Sequence, residues 1–120
     1  MANPGLVKSL VAEAAVSPYR VVKFGTADGQ VVQAAAASDA AVGVADNLGQ
    51  SAAGYRVDVI LNGIAEAEAG AAVARGARLT ADASGRVVAA ASGNIVIGVA
   101  MAAAGAAGEI IPINVVPSTF

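Results

Sequence analysis

Residues 62–100 read NGIAEAEAGAAVARGARLTADASGRVVAAASGNIVIGVA, and glycine recurs too often along this stretch for any regular element longer than a short strand. Ile64 to Ala69 alternates, so an extended chain places Glu66 and Glu68 on one face and Ala65, Ala67 and Ala69 on the other. One face is wet and the other nearly featureless. Ala77-Arg78-Leu79-Thr80 precedes Asp82-Ala83-Ser84-Gly85, a tight-turn sequence, because Asp and Ser bond their own backbone and Gly accepts positive φ. Arg86-Val87-Val88 then leaves in a new direction.

The rest of the chain follows the same grammar. Residues 19–24 alternate, with Tyr19, Val21 and Lys23 on one face and Arg20, Val22 and Phe24 on the other. Gly25-Thr26-Ala27-Asp28-Gly29 is a turn that returns the chain as a hairpin through residues 30–34. Residues 41–45 (AVGVA) read as a short buried strand, and residues 55–61 are the clearest strand: Tyr55, Val57, Val59 and Leu61 face one way, Arg56 and Asp58 the other. Residues 95–100 (IVIGVA) and 109–116 complete the set, the last predicted at a sheet edge because Pro112 lacks an amide donor. Residues 6–16 read either as a short amphipathic helix, with Leu6, Leu10 and Ala14 on one stripe, or as an extended arm that Ser17-Pro18 ends. The expectation is an all-β fold, a small barrel or sandwich of short strands. An extended or short-helical N-terminal arm covers residues 1–18, and a single β-rich domain covers residues 19–120.

Core volume is scarce. Alanine occurs 32 times and glycine 14 times, and the only aromatics are Tyr19, Phe24, Tyr55 and Phe120. Val and Ile outnumber Leu by 25 to five, which favours pleated surfaces over helix. A domain with so small a core commonly gains stability by association, so a homo-oligomer is expected.

A weak internal echo runs through the chain. Thr26-Ala27-Asp28-Gly29-Gln30-Val31-Val32 is similar to the run from Thr80 to Val88, and Val42-Gly43-Val44-Ala45 is similar to Ile97-Gly98-Val99-Ala100. Two like β units would build a pseudo-symmetric sandwich or clip.

The chemistry-bearing residues are sparse. A net charge of −2 with seven scattered basic residues leaves no electrostatic footprint for nucleic acid. With no histidine and no cysteine, the usual acid–base group, the thiolate nucleophile and a disulfide framework are all missing. Glu66 and Glu68 form a close carboxylate pair, but nothing nearby in the sequence would raise either pKa, so they read as a solvated strand face. Asp82 and Ser84 lack the spacing of a calcium loop, and Gly25 and Gly29 belong to no phosphate-binding motif. Arg75 and Arg78 flank Gly76 and read as exposed solubilising charges, the alternative being contact with an acidic partner. Residues 87–108 carry no charge, yet Ser92-Gly93-Asn94 breaks the run and most of it is Ala and Gly, so no membrane span is expected. Residues 1–16 lack a long apolar core, and no signal peptide is expected. No catalytic residue, metal or cofactor is assigned.

Several pieces, in order and spacing, carry a family resemblance: Pro18-Tyr19-Arg20, Gly43-Val44, Val57-Asp58-Val59, Gly63-Ile64-Ala65, and Gly76 followed by Leu79-Thr80-Ala81-Asp82 and Gly85-Arg86. Together they make nearly the whole chain similar to tailed-phage capsid cement or head-decoration proteins. The resemblance implies a β-clip or β-tulip fold and a homotrimer seated at three-fold and quasi-three-fold positions on the outside of the shell. It implies the major capsid protein as partner and a virion location after synthesis in the host cytoplasm. On that reading Leu6, Val7, Leu10 and Val11 of the arm meet the capsid, and Tyr55, Ile64 and Leu79 lie between subunits. The rival expectation is a virion-surface carbohydrate-binding or adhesive β domain, against which stands the scarcity of aromatic rings for stacking on sugars.

Overall fold

A computed structural model of the chain describes residues 3–120, and every regular element among them is a β-strand. In order they are β1 (Asn3–Pro4), β2 (Val7–Ala12), β3 (Val21–Phe24), β4 (Gln30–Gln33), β5 (Ala41–Ala45), β6 (Arg56–Ile60), β7 (Gly63–Glu68), β8 (Arg78–Ala81), β9 (Val87–Ala89), β10 (Ile95–Ala100) and β11 (Ile110–Thr119). Strands β2, β4, β3, β5 and β6 close into a barrel, lobe 1. Strands β1, β7, β11, β10, β8 and β9 form a six-stranded sheet, lobe 2. The fold is all-β, as expected. The uncharged run 87–108 is spent on β9, β10 and their turns, and no helix is long and apolar enough to cross a membrane.

The echo in the sequence is a structural repeat. Strands β2 to β6 pair as β7 to β11 do: Val22 opposes Gly43 where Leu79 opposes Gly98, Leu10 opposes Val57 where Ala67 opposes Ile111, and Ala45 opposes Val59 where Ala100 opposes Ile113. Loop contacts repeat too, since the bridge Val16–Gln50 has its counterpart in Val73–Ala104. The parallel pairing of Ala12 with Val31, which closes the barrel, recurs as a single parallel bridge from Ala69 to Val87. Lobe 2 is thus a second copy of the barrel, left nearly open along one seam.

At eight aligned interior positions the two lobes hold the same total of side-chain carbons. Ala12, Val16, Val31 and Ala45 inside lobe 1 correspond to Ala69, Val73, Val87 and Ala100 inside lobe 2. Leu10 becomes Ala67, losing three side-chain carbons, while Val22, Val57 and Val59 become Leu79, Ile111 and Ile113, gaining one each. Close-packed interiors hold total volume constant while individual positions trade, and these two lobes do so.

A second apolar layer joins the lobes. Strand β5 packs against β7, β10 and β11, so Val44 points outward into lobe 2 while Ala45 points into the barrel. Val21 and Val22 of β3 divide in the same way, so each of the two strands buries residues on both faces. The backbones also join, because β1 and β2 run antiparallel along β6 and β7 from Asn3 opposite Ile64 to Val11 opposite Arg56.

Two expectations are corrected. Residues 7–12 are a barrel strand, so the segment expected as an arm over residues 1–18 is part of lobe 1, and Met1 and Ala2 lie outside the described residues. Extended conformation wins over helix because Leu10, Ala12 and Val16 fill the barrel interior, a burial that no isolated helical stripe would obtain. Pro112 sits in a central strand, between β7 and β10, and not at an edge. The physical reason is local: its carbonyl accepts the Met101 N–H at 3.0 Å just beyond the end of β10, and the return bond that proline cannot donate falls outside the ladder. Asp58, the counterpart of Pro112, likewise accepts from the Asp46 N–H, while the Asp46 carbonyl is taken by Tyr19.

Candidate functional site

The open seam of lobe 2 is filled by lobe 1. In lobe 1 the Val11 N–H donates directly to the Gly29 carbonyl at 2.9 Å. The equivalent bond in lobe 2 would join Glu68 to Gly85. Instead Glu68 donates to the Tyr19 carbonyl at 3.0 Å and Val21 donates to the Gly85 carbonyl at 2.8 Å, so residues 19–21 are wedged between β7 and the β8–β9 turn. Arg20 fastens the wedge with Nη1 on the Ser84 carbonyl at 2.8 Å and Nη2 on Glu68 Oε2 at 3.2 Å. Gln33 Nε2 also donates to the Ser84 carbonyl at 2.8 Å, and Arg86 reaches Glu68 at 3.5 Å and Asp82 at 3.6 Å. Glu68 is therefore a hinge of charge between lobes, more than the solvated residue that alternation implies.

The wedge bends the chain at Tyr19, whose φ of 63° is the only positive value at a non-glycine residue among those described. Gly76 occupies the equivalent place in lobe 2 with φ of 87°. Left-handed backbone costs a side-chain-bearing residue about 1–2 kcal/mol, which Gly76 avoids and Tyr19 bears.

Beside the wedge lies a groove of about 300 Å³ lined by Val7, Tyr19, Asp46, Asn47, Asp58, Ile60 and Glu66. Asp46 also accepts the Leu48 and Gly49 N–H groups at 3.0 and 3.2 Å. Among the described residues no group of three or more His, Cys, Asp or Glu is arranged to hold a metal ion.

The residues singled out from sequence scatter across the fold. Leu6 and Val7 are exposed, Val11 is half-buried, and Leu10 points into the barrel at 6% exposure, away from any partner. Tyr55 is exposed, Ile64 is half-buried in β7, and Leu79 is fully buried inside lobe 2. Asp82 caps its own turn by accepting the Ser84 and Arg86 N–H groups at 2.8 and 2.9 Å. The wedge is not legible from sequence, although Pro18-Tyr19-Arg20 is one of the distinctive pieces. The internal echo covers residues 26–32 and 42–45 and stops short of Tyr19, so only the structural repeat sets Tyr19 against Gly76.

A protein-family model described as phage cement protein matches residues 3–115. A search of the curated proteins finds no match. Among solved structures, the head fiber gp8.5 N base of bacteriophage phi29 is similar at 19% identity, covering 96% of this chain and 97% of that one with a TM-score of 0.73. The likeness extends over both lobes.

Proposed function

The chain belongs to the phage cement protein family, and from that premise we propose that it decorates the outside of a phage shell, binding the major capsid protein as a homotrimer at three-fold and quasi-three-fold positions. Its role is structural and capsid-associated. The observation that carries this reading is the family match across residues 3–115, which takes in both lobes and the wedge between them. The fold of a phage head-fiber base supports it.

The physical advantage is mechanical. A trimer touching several capsomers has to be released at each contact before they part, so weak contacts multiply in effect. Binding the assembled lattice in preference to free subunits stabilises that lattice by mass action. A body made of two hydrogen-bonded lobes locked by a wedge transmits load without rearranging, and that is a task needing no catalytic group.

Leu6 and Val7, both exposed, are the proposed shell contacts, and Tyr55 and Ile64 the proposed subunit contacts. Removing the first residues as a block would take away barrel strand β2, so point changes are the proper probe. Purified protein mixed with undecorated heads and imaged by electron cryomicroscopy is expected to add density at fixed outer lattice positions. Leu6→Asp is expected to lower occupancy severalfold while leaving the fold intact, since Leu6 is exposed and outside the groove lining. Heads that stay bare at saturating protein would refute the assignment.

A further inference from the structure

The groove beside the wedge points to how copies of this chain meet, an inference that rests on the self-association proposed above. Its lining combines apolar surface from Val7, Tyr19 and Ile60 with the acidic Asp46, Asp58 and Glu66. The repeat supplies an internal control. Where lobe 1 has Tyr19, Asp46 and Asp58, lobe 2 has Gly76, Met101 and Pro112, so neither the ring nor the negative charge is required by the barrel fold.

Lobe 2 carries a positive charge next to Gly76, its counterpart of Tyr19. Arg75, adjacent to Gly76, is exposed and makes no hydrogen bond or ion pair among the described residues. Neighbouring Arg78, in contrast, lies 4.6 Å over the Phe120 ring. We propose that Arg75 of one copy enters the lobe 1 groove of a second copy, with its stem along the Tyr19 ring and its guanidinium between Asp46 and Asp58. Arginine suits such a site because its apolar stem and planar, weakly hydrated head pack on an aromatic face while the head meets carboxylates. An ion pair open to water contributes little, whereas one seated on apolar surface is partly desolvated and penalises like charge strongly. A second copy is the occupant because both halves of the complementarity, acidic groove and unpaired arginine, are on this chain. Joining lobe 2 of one copy to lobe 1 of the next is a heterologous contact, the kind that closes into a ring such as a trimer.

Sedimentation equilibrium on the full chain tests the contact, with Arg75→Glu, Asp58→Arg and the two combined, each checked for folding by circular dichroism. Asp58→Asn serves should Asp58→Arg fail to fold. Wild type is expected to associate, each single reversal to raise the dissociation constant at least about tenfold, and the combined reversal to recover most of that loss. Arg75→Glu that associates like wild type, or a combined variant no better than the worse single one, would overturn the proposal. Wild-type protein that stays monomeric yet decorates heads would overturn this interface and leave the capsid role standing.

Discussion

The matched interiors of the two lobes make a quantitative test possible. Leu10→Ala introduces into lobe 1 the residue that lobe 2 carries at Ala67. Leu10 is only 6% exposed, so its truncation leaves a cavity and costs about 3 kcal/mol. For a chain of 120 residues the unfolding entropy is about 0.25 kcal/mol/K, so that loss lowers the melting temperature by about 12 °C. The reciprocal set, Val22→Leu, Val57→Ile and Val59→Ile, adds three carbons to a full interior and costs about 1–3 kcal/mol by overpacking. All four changes together give lobe 1 the side chains that lobe 2 holds at the eight aligned positions, and the sum of carbons returns to the wild-type value. The fourfold variant is expected to lie within about 1.5 kcal/mol of wild type and above both parents. Urea denaturation with a common slope, alongside thermal melts, measures each variant. A fourfold variant no more stable than Leu10→Ala alone would show that the lobes do not share one packing solution, and the repeat would then be a likeness of backbone only.

Four further outcomes are expected. Arg20→Ala removes the side-chain bonds that fasten the wedge to Ser84 and Glu68 and should cost about 2 kcal/mol in urea denaturation, with Arg20→Lys recovering less than half, because one ammonium cannot span both acceptors. Tyr19→Gly should change stability by less than about 1 kcal/mol, relief of strain being offset by a looser unfolded chain, whereas Tyr19→Val should be clearly worse; equal stability for the two would refute strain at this position. Gly43→Ala and Gly98→Ala each drive a methyl group into the backbone carbonyl opposite, of Ile60 and Asn114 respectively, and each should cost at least about 2 kcal/mol by the same assay. Stability should also fall on acidification. Bonds from the Thr26 hydroxyl and N–H hold Glu13 below its ordinary 4.5, and the Ala35 N–H, with help from Lys23 and the Ala36 N–H against the opposing effect of burial, holds Asp39 below 3.8. Both values are depressed on folding, so the stabilisation is complete above the unfolded values and is lost as pH drops through the folded ones. Urea midpoints measured from about pH 6 down to about pH 3 should therefore decline, and Glu13→Gln should flatten part of that decline.

Local readings from the sequence were sound where the physics is local. A strand repeats every two residues, so Ala65, Ala67 and Ala69 were legible as one face and are buried together, as are Val57 and Val59. Turns were equally legible at Asp82 to Gly85 and at Thr26 to Gly29, since their residues bond their own backbone or accept positive φ. Burial on both faces was harder to read. Nothing within β3 tells that Val21 and Val22 enter two different cores, because that depends on what packs outside the barrel.

By itself, then, the sequence determined an all-β chain of short strands, the positions of its turns, its poverty in catalytic groups and the faint repeat. Only the tertiary structure decided which edges join: that residues 7–12 close a barrel, that Pro112 is tolerated in mid-sheet, and that residues 19–21 occupy the seam of the other lobe. Alternation and turn chemistry act over a few residues and are written in order along the chain. Edge pairing is a competition among distant backbone donors and acceptors, and in lobe 2 Tyr19 and Val21 took the bonds that Glu68 and Gly85 would otherwise have made with each other.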